Sequence, residues 1–570
     1  MNVDSNPKKL NEIGESYFTG NGQVKNIEIA FSYFKKAADL ENPVGYYNLG
    51  RYYFEINQPK QALLSMQKAA ALGYSFAYLE LSNFALKGIG QRKSKQKAFK
   101  YLLEATKQGE PDSFHLIANF YYKGIGVKKD PNKAWSYYQK SADMNHPEGL
   151  YQLGMLYLSL KQNNKNMEQA LHYLDKSATL LHPLAILELK NIYQSKHRYF
   201  SKKSSAYLRE MVFYYQELSA KAGNIDDLKE VSMTYYFGSD IIKVNYEKSL
   251  TYFTDLASKK IDVGYYGLGL HYLYQKEVKQ DLSKAYQLFE LAKNLNYPKA
   301  YSRLGDIERA EAEDSVHFEK AKDYYVEGAK LGDDDALLQL GLLHYRAQVK
   351  SATFELAFQY MTSAYKKGNT QAAYWLGIFY DKGVGTKRNA ALAKKHFEKA
   401  LEQKHTGAIY KYACFMYDEI KAEKRLTKSG QKKLTKAYEM LLDYCDLEDA
   451  SKLNKAYSYQ TIADAFETGY GVKTNPLAAR YYTEKAAELN LTTSLIKMFL
   501  LLKEKELENA LSYLNKAVSI NDDAEAFYQY GLLFLNGFQT IEKNIDRAKM
   551  YLEKAAKMGH KSALEKIMMM

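Results

Sequence analysis

Apolar and small side chains recur along this chain at the spacing of an α-helix, in two types of sequence segment that alternate. The stretch Ala134–His146 (AWSYYQKSADMNH) places them at i, i+3, i+4, i+7 and i+8, which makes one stripe on a helix. The stretch Gly149–Ser159 (GLYQLGMLYLS) has the same spacing, and its small residues would let two helices approach closely. No strand-type alternation competes with this pattern. Each pair of segments therefore predicts two antiparallel helices. The whole chain is predicted to have an all-α fold.

The two types of segment repeat from one end of the chain to the other. Most copies are about 31–38 residues apart, and the interval from Ala400 to Ala486 holds two long copies with a degenerate marker near Asp443. Self-similarity at this period is typical of a solenoid, in which neighbouring repeats share one continuous core. We predict a single α/α solenoid over residues 1–570, with about fifteen helix-pair repeats. Each copy is marked by one small residue that follows a position often occupied by lysine, as Ser141 follows Lys140. The markers are Ala37, Ala69, Ala105, Ser141, Ser177, Ala220, Ala257, Ala292, Ala329, Ala364, Ala400, Ala486, Ala517 and Ala555.

Pairs of glycines follow the first helix of several repeats, as in Tyr121–Ala142 (YYKGIGVKKDPNKAWSYYQKSA). Glycines followed by lysines could form a loop that cradles phosphate, or they could end one helix before the next begins. A glycine ends a helix by adopting the left-handed conformation, and the next helix then opens on a capping residue, here Asp130 followed by Pro131. No third glycine, preceding strand or Walker motif accompanies the pairs. We interpret them as helix stops, at Gly20/Gly22, Gly88/Gly90, Gly124/Gly126, Gly383/Gly385 and Gly469/Gly471.

The composition favours a folded protein of a reducing compartment. With 46% hydrophobic and 26% charged residues among 570, the chain is typical of folded rather than disordered proteins. Cys414 and Cys445 are its only cysteines, so no disulfide framework is available. The N-terminus has no apolar segment typical of a secretory signal, and the apolar run Met498–Leu502 is far too short for a membrane span. We expect a cytoplasmic protein without membrane insertion, and its net charge of +14 hints at acidic partners.

Three stretches carry a family signature: Tyr47–Gly50 (YNLG), the glycine-pair stretch Tyr121–Ala142, and Ala373–Ala400. Their pattern, A-x-Y-x-L-G-x-x-Y-x-x-G-x-G-V and then D-x-x-x-A-x-x-Y-x-x-A-A-x-x-G, resembles the Sel-1-like repeat, a longer relative of the tetratricopeptide repeat. The resemblance covers nearly the whole chain and is weaker around 183–225 and 405–450. It implies a right-handed superhelix that acts as an adaptor, scaffold or regulator and has no catalytic residues of its own. The secreted, cysteine-rich members of the family are not a model for a chain with two cysteines.

An aromatic column runs through the first helices of the repeats. Tyrosine offers a large contact area at low entropy cost, so a ladder of such rings on a concave surface could bind a peptide. The family pattern itself has an aromatic residue at this place, and packing between repeats would explain it equally. The column therefore has two interpretations, a partner-binding strip or an inter-repeat core. Its members are Tyr47, His115, Tyr151, Tyr266, Tyr374, Tyr410 and Tyr528.

Two intervals between markers are stretched to about 43 residues, which predicts an insertion in each. The insertions, 195–209 and 424–436, are basic and contain no acidic residue, and a third basic cluster is Gln91–Lys97. Such clusters could attract a nucleic-acid backbone or an acidic protein tail, and the alternative is a solvated loop without a partner. The cations of the two insertions are Lys196, Arg198, Lys202, Lys203, Arg209, Lys424, Arg425, Lys428, Lys432, Lys433 and Lys436.

No motif of catalysis or metal binding stands out in the sequence, which lacks HExxH, CxxC and GxSxG. We expect no enzyme, no metal site and no cofactor. The predicted function is recognition of another protein on an extended surface, because a stack of helices offers area but no enclosed pocket. The alternative is a basic scaffold that binds nucleic acid or another polyanion through the two insertions. Four histidines stand at helix ends, where an imidazole would suit a helix C-terminus: His146, His182, His405 and His560.

Overall fold

The computed structural model of the chain describes residues 6–160, 163–195, 198–311, 315–423, 425–520 and 523–570. Those residues form 31 α-helices and a short 3-10 helix, Arg198–Phe200. The only β-type contact among them is an isolated bridge between Phe538 and Ile541. In the described part of the chain, no helix has both the length and the apolar character that crossing a bilayer requires. The predicted all-α class is confirmed.

The chain divides into two compact units, Met1–Leu288 and Phe289–Met570, with the division inside one helix. The helices up to that division are α1 Pro7–Thr19, α2 Ile27–Asp39, α3 Pro43–Glu55, α4 Pro59–Ala71, α5 Ser75–Lys87, α6 Lys95–Lys107, α7 Pro111–Lys123, α8 Pro131–Asp143, α9 Pro147–Ser159, α10 Asn164–Thr179, α11 Pro183–Gln194, α12 Ser205–Lys221, α13 Ile225–Phe237, α14 Tyr246–Ser258, α15 Asp262–Leu273 and α16 Leu282–Asn294. The second unit continues with α17 Pro298–Ala310, α18 Ser315–Lys330, α19 Asp334–Tyr345, α20 Phe354–Lys366, α21 Thr370–Lys382, α22 Ala390–Glu402, α23 Thr406–Lys421, α24 Lys428–Asp446, α25 Lys452–Thr468, α26 Pro476–Glu488, α27 Thr492–Leu502, α28 Leu507–Ile520, α29 Ala524–Asn536, α30 Ile545–Lys557 and α31 Lys561–Met568.

Odd-numbered and even-numbered helices have different roles, and we call them A helices and B helices. An A helix and the B helix that follows it form one repeat, so α1 to α30 make fifteen pairs in chain order and α31 ends the series. From α1 to α15 and from α17 to α31, consecutive helices pack against each other. Some A helices also touch the A helix of the next repeat, as α7 touches α9. The predicted helix-pair solenoid is confirmed.

The glycine pairs end A helices, as the repeat from α7 to α8 shows. Gly124 closes α7 in the left-handed conformation, with φ of 72°. Gly126, with φ of 67°, lies against the carbonyl of Lys95 at the start of α6, and a Cβ there would collide with that carbonyl. Asp130 then accepts a hydrogen bond from the Lys133 amide at 3.0 Å and caps α8. The interpretation of these pairs as helix stops is confirmed.

Glycines inside the A helices let large B-helix side chains reach the backbone. A Cβ added at Gly377 of α21 would lie 2.6 Å from the ring of Phe397 in α22, and one at Gly14 would lie 2.5 Å from Phe34. Unstrained carbon contacts are about 3.5–4.0 Å, so no larger residue fits without movement. Twelve of the fourteen marker residues are also buried, Ala37 and Ala105 completely. Small residues on one helix and large ones on the other therefore build the core of each pair.

The stretched repeats lengthen their helices instead of extending long loops. Most helices have 13 residues, whereas α12 has 17 and α24 has 19. The end of the first insertion, from Ser205 onward, belongs to α12, and residues 428–436 of the second belong to α24. The expectation of a solvated loop is therefore wrong for most of the second insertion. Helical periodicity explains the difference, because Leu434 faces the core while the lysines around it stay exposed.

Candidate functional site

The aromatic column occupies one structural place, the fifth residue of an A helix. Tyr266 and Tyr410 are buried, at 3% and 8% exposure, and the other five are half-buried. Five of the seven rings pack on the residue that precedes the next A helix, with centroid distances of 5.1 Å for Tyr47–Tyr74, 4.5 Å for His115–His146, 4.9 Å for Tyr151–His182, 4.3 Å for Tyr374–His405 and 4.2 Å for Tyr528–His560. The column is thus chiefly a joint between consecutive repeats.

Three of the histidines at these joints, all except His405, cap the next A helix with their side chains. His146 Nδ1 accepts a hydrogen bond from the Gly149 amide at 3.4 Å, and its Nε2 lies 2.8 Å from a carboxylate oxygen of Asp112. Because Nδ1 accepts, the proton is on Nε2, which donates to the carboxylate. His182 and His560 repeat this arrangement with Glu148 and Glu525. The expectation that these histidines serve helix C-termini is wrong, because the turn between helices is so short that the residue closing it caps the following helix.

The joints differ in their electrostatics. The hydrogen bond that His182 donates to Glu148 lowers the pKa of the Glu148 carboxyl to about 2, although burial alone would raise it. Burial, and then the charge of His146, lowers the pKa of His115 to about 4. His405 has no acid at the matching place, where Gln371 stands. Its Nδ1 finds no hydrogen-bond partner among the described residues, and burial lowers its pKa.

The substitution His115→Tyr should reduce the acid sensitivity of the first unit. Since the folded-state pKa of His115 is about 4 against an ordinary 6.5, its stability contribution is complete above pH 6.5 and is lost as the pH falls toward 4. At pH 5 the loss is roughly 2 kcal/mol. A tyrosine keeps the stacking on His146 seen at the Tyr151 joint and does not titrate here. Melting temperatures at pH 7.5 and pH 5 should differ less in this variant than in the wild type.

The exposed residue His172 provides a control for that comparison. The substitution His172→Asn should leave the difference in melting temperature between the two pH values unchanged. Equal differences in the wild type and His115→Tyr would contradict the assigned role of His115.

A groove opens on the A-helix side between α5 and α7, where the column is interrupted. The fifth residue of α5 is Leu79, which is shorter than the rings of the aromatic column, and a cavity of about 490 Å³ remains beside it. We call this cavity the α5–α7 groove. Among the described residues that line it there are two carboxylates and two imidazoles but no lysine or arginine. Its lining is Phe76, Leu79, Glu80, Ser82, Asn83, Leu86, Leu102, Asp112, His115, Leu116, Phe120 and His146.

The groove can hold an apolar side chain of a ligand. Phe76, Leu79, Asn83 and Leu86 stand at i, i+3, i+7 and i+10 of α5, so they form one stripe along it. Leu86 is 36% exposed, and Phe76 and Leu79 are half-buried. Of the residues that line the groove, two belong to patterns visible in the sequence: His115 in the aromatic column and His146 at a helix end. The signal that would have revealed the groove is the leucine at position 79, where the repeat pattern has an aromatic residue.

The first basic insertion lies in the first unit. Lys196 lies outside the described residues, and Arg198 begins the 3-10 helix. Lys202 and Lys203 are exposed ahead of α12, and the Lys203 ammonium lies 5.0 Å from the centroid of the Tyr207 ring. Arg209 is exposed and pairs with Asp240 at 2.6 Å. One cation of this cluster is therefore already neutralised by a neighbour.

The second basic insertion lies in the second unit. Lys424 lies outside the described residues, and Arg425 precedes α24. Lys433 lines a cavity that also contains Asp418, Glu419 and Glu423. The other cations of the cluster are exposed on α24 at Lys428, Lys432 and Lys436. Polyanion binding by these residues stays a prediction.

The described residues contain no group of three or more histidine, cysteine, aspartate or glutamate side chains able to hold a metal ion. Both cysteines are free thiols. Burial raises the pKa of Cys414 and of Cys445. A protonated, enclosed thiol is a poor nucleophile, so these side chains serve the core.

Comparison with known proteins matches the chain to the Sel1 repeat. The matched segments are 10–42, 75–110, 115–146, 147–180, 230–259, 263–297, 334–369, 370–405, 462–491 and 524–560. No curated protein matches the chain.

Solved structures of similar proteins include a protective antigen of uropathogenic Escherichia coli strains that displays an SLR fold. It is 23% identical, with 77% of this chain and 92% of that chain covered and a TM-score of 0.40. A Sel1 repeat protein from Oxalobacter formigenes is 28% identical, with 39% and 91% covered and a TM-score of 0.34. The human IFIT1 dimer with PPP-AAAA is 14% identical, with 81% and 94% covered and a TM-score of 0.33.

Proposed function

Because the chain belongs to the Sel1 repeat family, we propose that it is a non-catalytic scaffold that binds another protein on the surface of its A helices. Repeat arrays of this kind offer long surfaces on which side chains from successive repeats meet a partner. The single observation that carries the proposal is the α5–α7 groove. It exposes leucine on a rigid helix, at a joint where the fifth residue of the A helix supplies no aromatic ring to fill the space.

The groove has the features of an anchor site in a protein interface. Such interfaces rely on a few apolar or aromatic side chains that fill pockets, surrounded by polar groups that fix orientation. The volume of about 490 Å³ is in the range of ligand-binding pockets. Asn83 and Glu80 supply polar groups on the same helix that supplies the leucines. The α5–α7 groove is therefore the place where we expect a partner side chain to bind.

Affinity capture from native lysate with matched variants tests this proposal. Leu86→Glu places a charge in the groove, and the control Leu64→Glu places one on α4, where Leu64 is 59% exposed and does not line the groove. We expect the wild type and the control to retain the same partner protein after nuclease treatment. Leu86→Glu should retain roughly tenfold less of it.

Two results of the capture experiment would contradict the proposal. Equal retention by both variants would exclude the groove. Loss of all material on nuclease treatment would favour the polyanion alternative, in which case neutralising Lys202, Lys203, Lys432 and Lys433 should abolish binding and flatten its salt dependence.

A further inference from the structure

Charge in the first unit is segregated between the two classes of helix. Its A helices, α1 to α15, carry eleven Asp and Glu against seven Lys and Arg, whereas its B helices, α2 to α14, carry ten against fifteen. The A helices of the second unit, α17 to α31, carry eleven of each. The chain as a whole has a net charge of +14. A net negative charge on the A helices of one unit, in a chain that is basic as a whole, is a local property that a partner of opposite charge can recognise.

The α5–α7 groove contains one of the A-helix carboxylates, that of Glu80. Glu80 is half-buried and lines the groove together with Leu79 and Leu86. Among the described residues it makes no hydrogen bond or ion pair, whereas Asp112 on the facing helix already accepts from His146 Nε2 at 2.8 Å. A half-buried carboxylate gains from a cation more than a fully solvated one does. Glu80 is therefore the side chain at which an entering cation would be held.

The corresponding residue of another repeat provides a comparison. Glu188 of α11 also follows a leucine at the fifth position, since both helices read Leu-Glu-Leu there. It lines a different cavity, of about 630 Å³, but Lys202 lines that cavity too. The Glu188 carboxylate therefore shares its surroundings with a cation of the chain. No lysine or arginine lines the α5–α7 groove with Glu80, and Arg51, whose charge acts on Tyr47 together with that of Glu80, is already paired with Glu15 at 2.7 Å. The α5–α7 groove is therefore the better receptor for a cation from outside.

We propose that the α5–α7 groove binds a segment of the partner protein in which an apolar side chain stands next to lysine or arginine. The apolar side chain fills the space between Phe76, Leu79 and Leu86, and the neighbouring cation pairs with Glu80. This inference rests on the function proposed above and adds the chemistry of the partner to it. The net charge of the chain opposes cationic peptides in general, so their binding should depend on the Glu80 carboxylate.

Fluorescence anisotropy with three labelled peptides of about ten residues each tests the inference at physiological salt. The first peptide alternates lysine with leucine, the second glutamate with leucine, and the third lysine with serine. Full-length Glu80→Lys is compared with Asp39→Lys, a control with the same charge change at an exposed position of α2. We expect the lysine–leucine peptide to bind the wild type and the control equally. Glu80→Lys should weaken it roughly tenfold, and the lysine–serine peptide should bind more weakly because it lacks the apolar anchor.

Three results would overturn the inference. Equal affinities of the two charge variants for the lysine–leucine peptide would exclude Glu80. Absence of binding to the wild type would exclude a cationic ligand, and tighter binding of the glutamate–leucine peptide would reverse the assigned charge. If Leu86→Glu still loses the captured protein in any of these cases, only the partner chemistry is wrong. If Leu86→Glu also keeps that protein, the proposed function fails with it.

Discussion

Replacing Glu217 with glutamine is expected to destabilise the first unit by about 3 kcal/mol. Glu217 of α12 is only 8% exposed and accepts hydrogen bonds from Tyr235 at 2.6 Å and Tyr252 at 2.8 Å. Lys221 and Lys248 each place an ammonium 3.2 Å from its carboxylate. A glutamine would turn its amide toward these donors, so two hydrogen bonds to a charged acceptor are lost and two half-exposed ammonium groups lose their counter-ion. Hydrogen exchange of amides in α12 to α14 under native conditions measures the loss.

The pH dependence of that loss identifies its cause. Burial would raise the pKa of Glu217, but its four donors together lower it to about 2. The stabilisation is therefore complete above the ordinary pKa of 4.5 and disappears as the pH falls toward 2. The difference between wild type and Glu217→Gln should shrink at pH 3. The exposed residue Glu210 on the same helix gives the control Glu210→Gln, and a comparable loss there would contradict the assignment.

Replacing Gly377 with alanine is expected to destabilise the second unit by about 1–3 kcal/mol. The added Cβ would lie 2.6 Å from the ring of Phe397, which is 1% exposed and has no room to withdraw. In an exposed helix interior, alanine is more stable than glycine by about 1 kcal/mol. A net destabilisation by Gly377→Ala would therefore show that the contact with Phe397 outweighs helix propensity. The free energy of local opening, measured by hydrogen exchange in α21 and α22, gives the loss.

A second glycine in the same kind of place is the control. A Cβ at Gly341 would meet the terminal methyl of Met361 at 3.0 Å and the Ala357 carbonyl oxygen at 3.3 Å, and the flexible thioether can yield by the few tenths of an ångström that are needed. Gly341→Ala should therefore be close to neutral. Adding Phe397→Leu to Gly377→Ala should recover part of the stability, and no recovery would show that the ring is not the obstacle.

The repeat architecture is predictable from sequence because its determinants are local. The helical spacing of Ala134–His146, the left-handed glycine at Gly124 and the cap at Asp130 all act within one turn of a helix. The aromatic column was also predicted in register, since each member is the fifth residue of its helix. The residue on which each ring packs was not predicted, because it lies in a different part of the sequence: the ring of Tyr151 meets His182 of the next repeat, 31 residues away.

The groove escaped prediction because it arises from a missing contact. The residues that repeat are visible in the sequence, whereas the α5–α7 groove lies where Leu79 stands in place of a ring of the aromatic column. The basic insertions show the opposite limit. Their charge is plain in the sequence, but the helical stripe that continues α24 through Leu434 depends on burial against the rest of the second unit. The pairing of Arg209 with Asp240 likewise joins residues that lie far apart in sequence.

Site-specific photo-crosslinking in native lysate tests most directly whether the A-helix side of the first unit binds a protein. A benzophenone amino acid is placed at Leu86 in the α5–α7 groove, and at Leu64 on α4 as the control. We expect a nuclease-resistant protein adduct of defined size from position 86 and none from position 64. The same adduct from both positions, or an adduct from position 64 alone, would contradict this expectation.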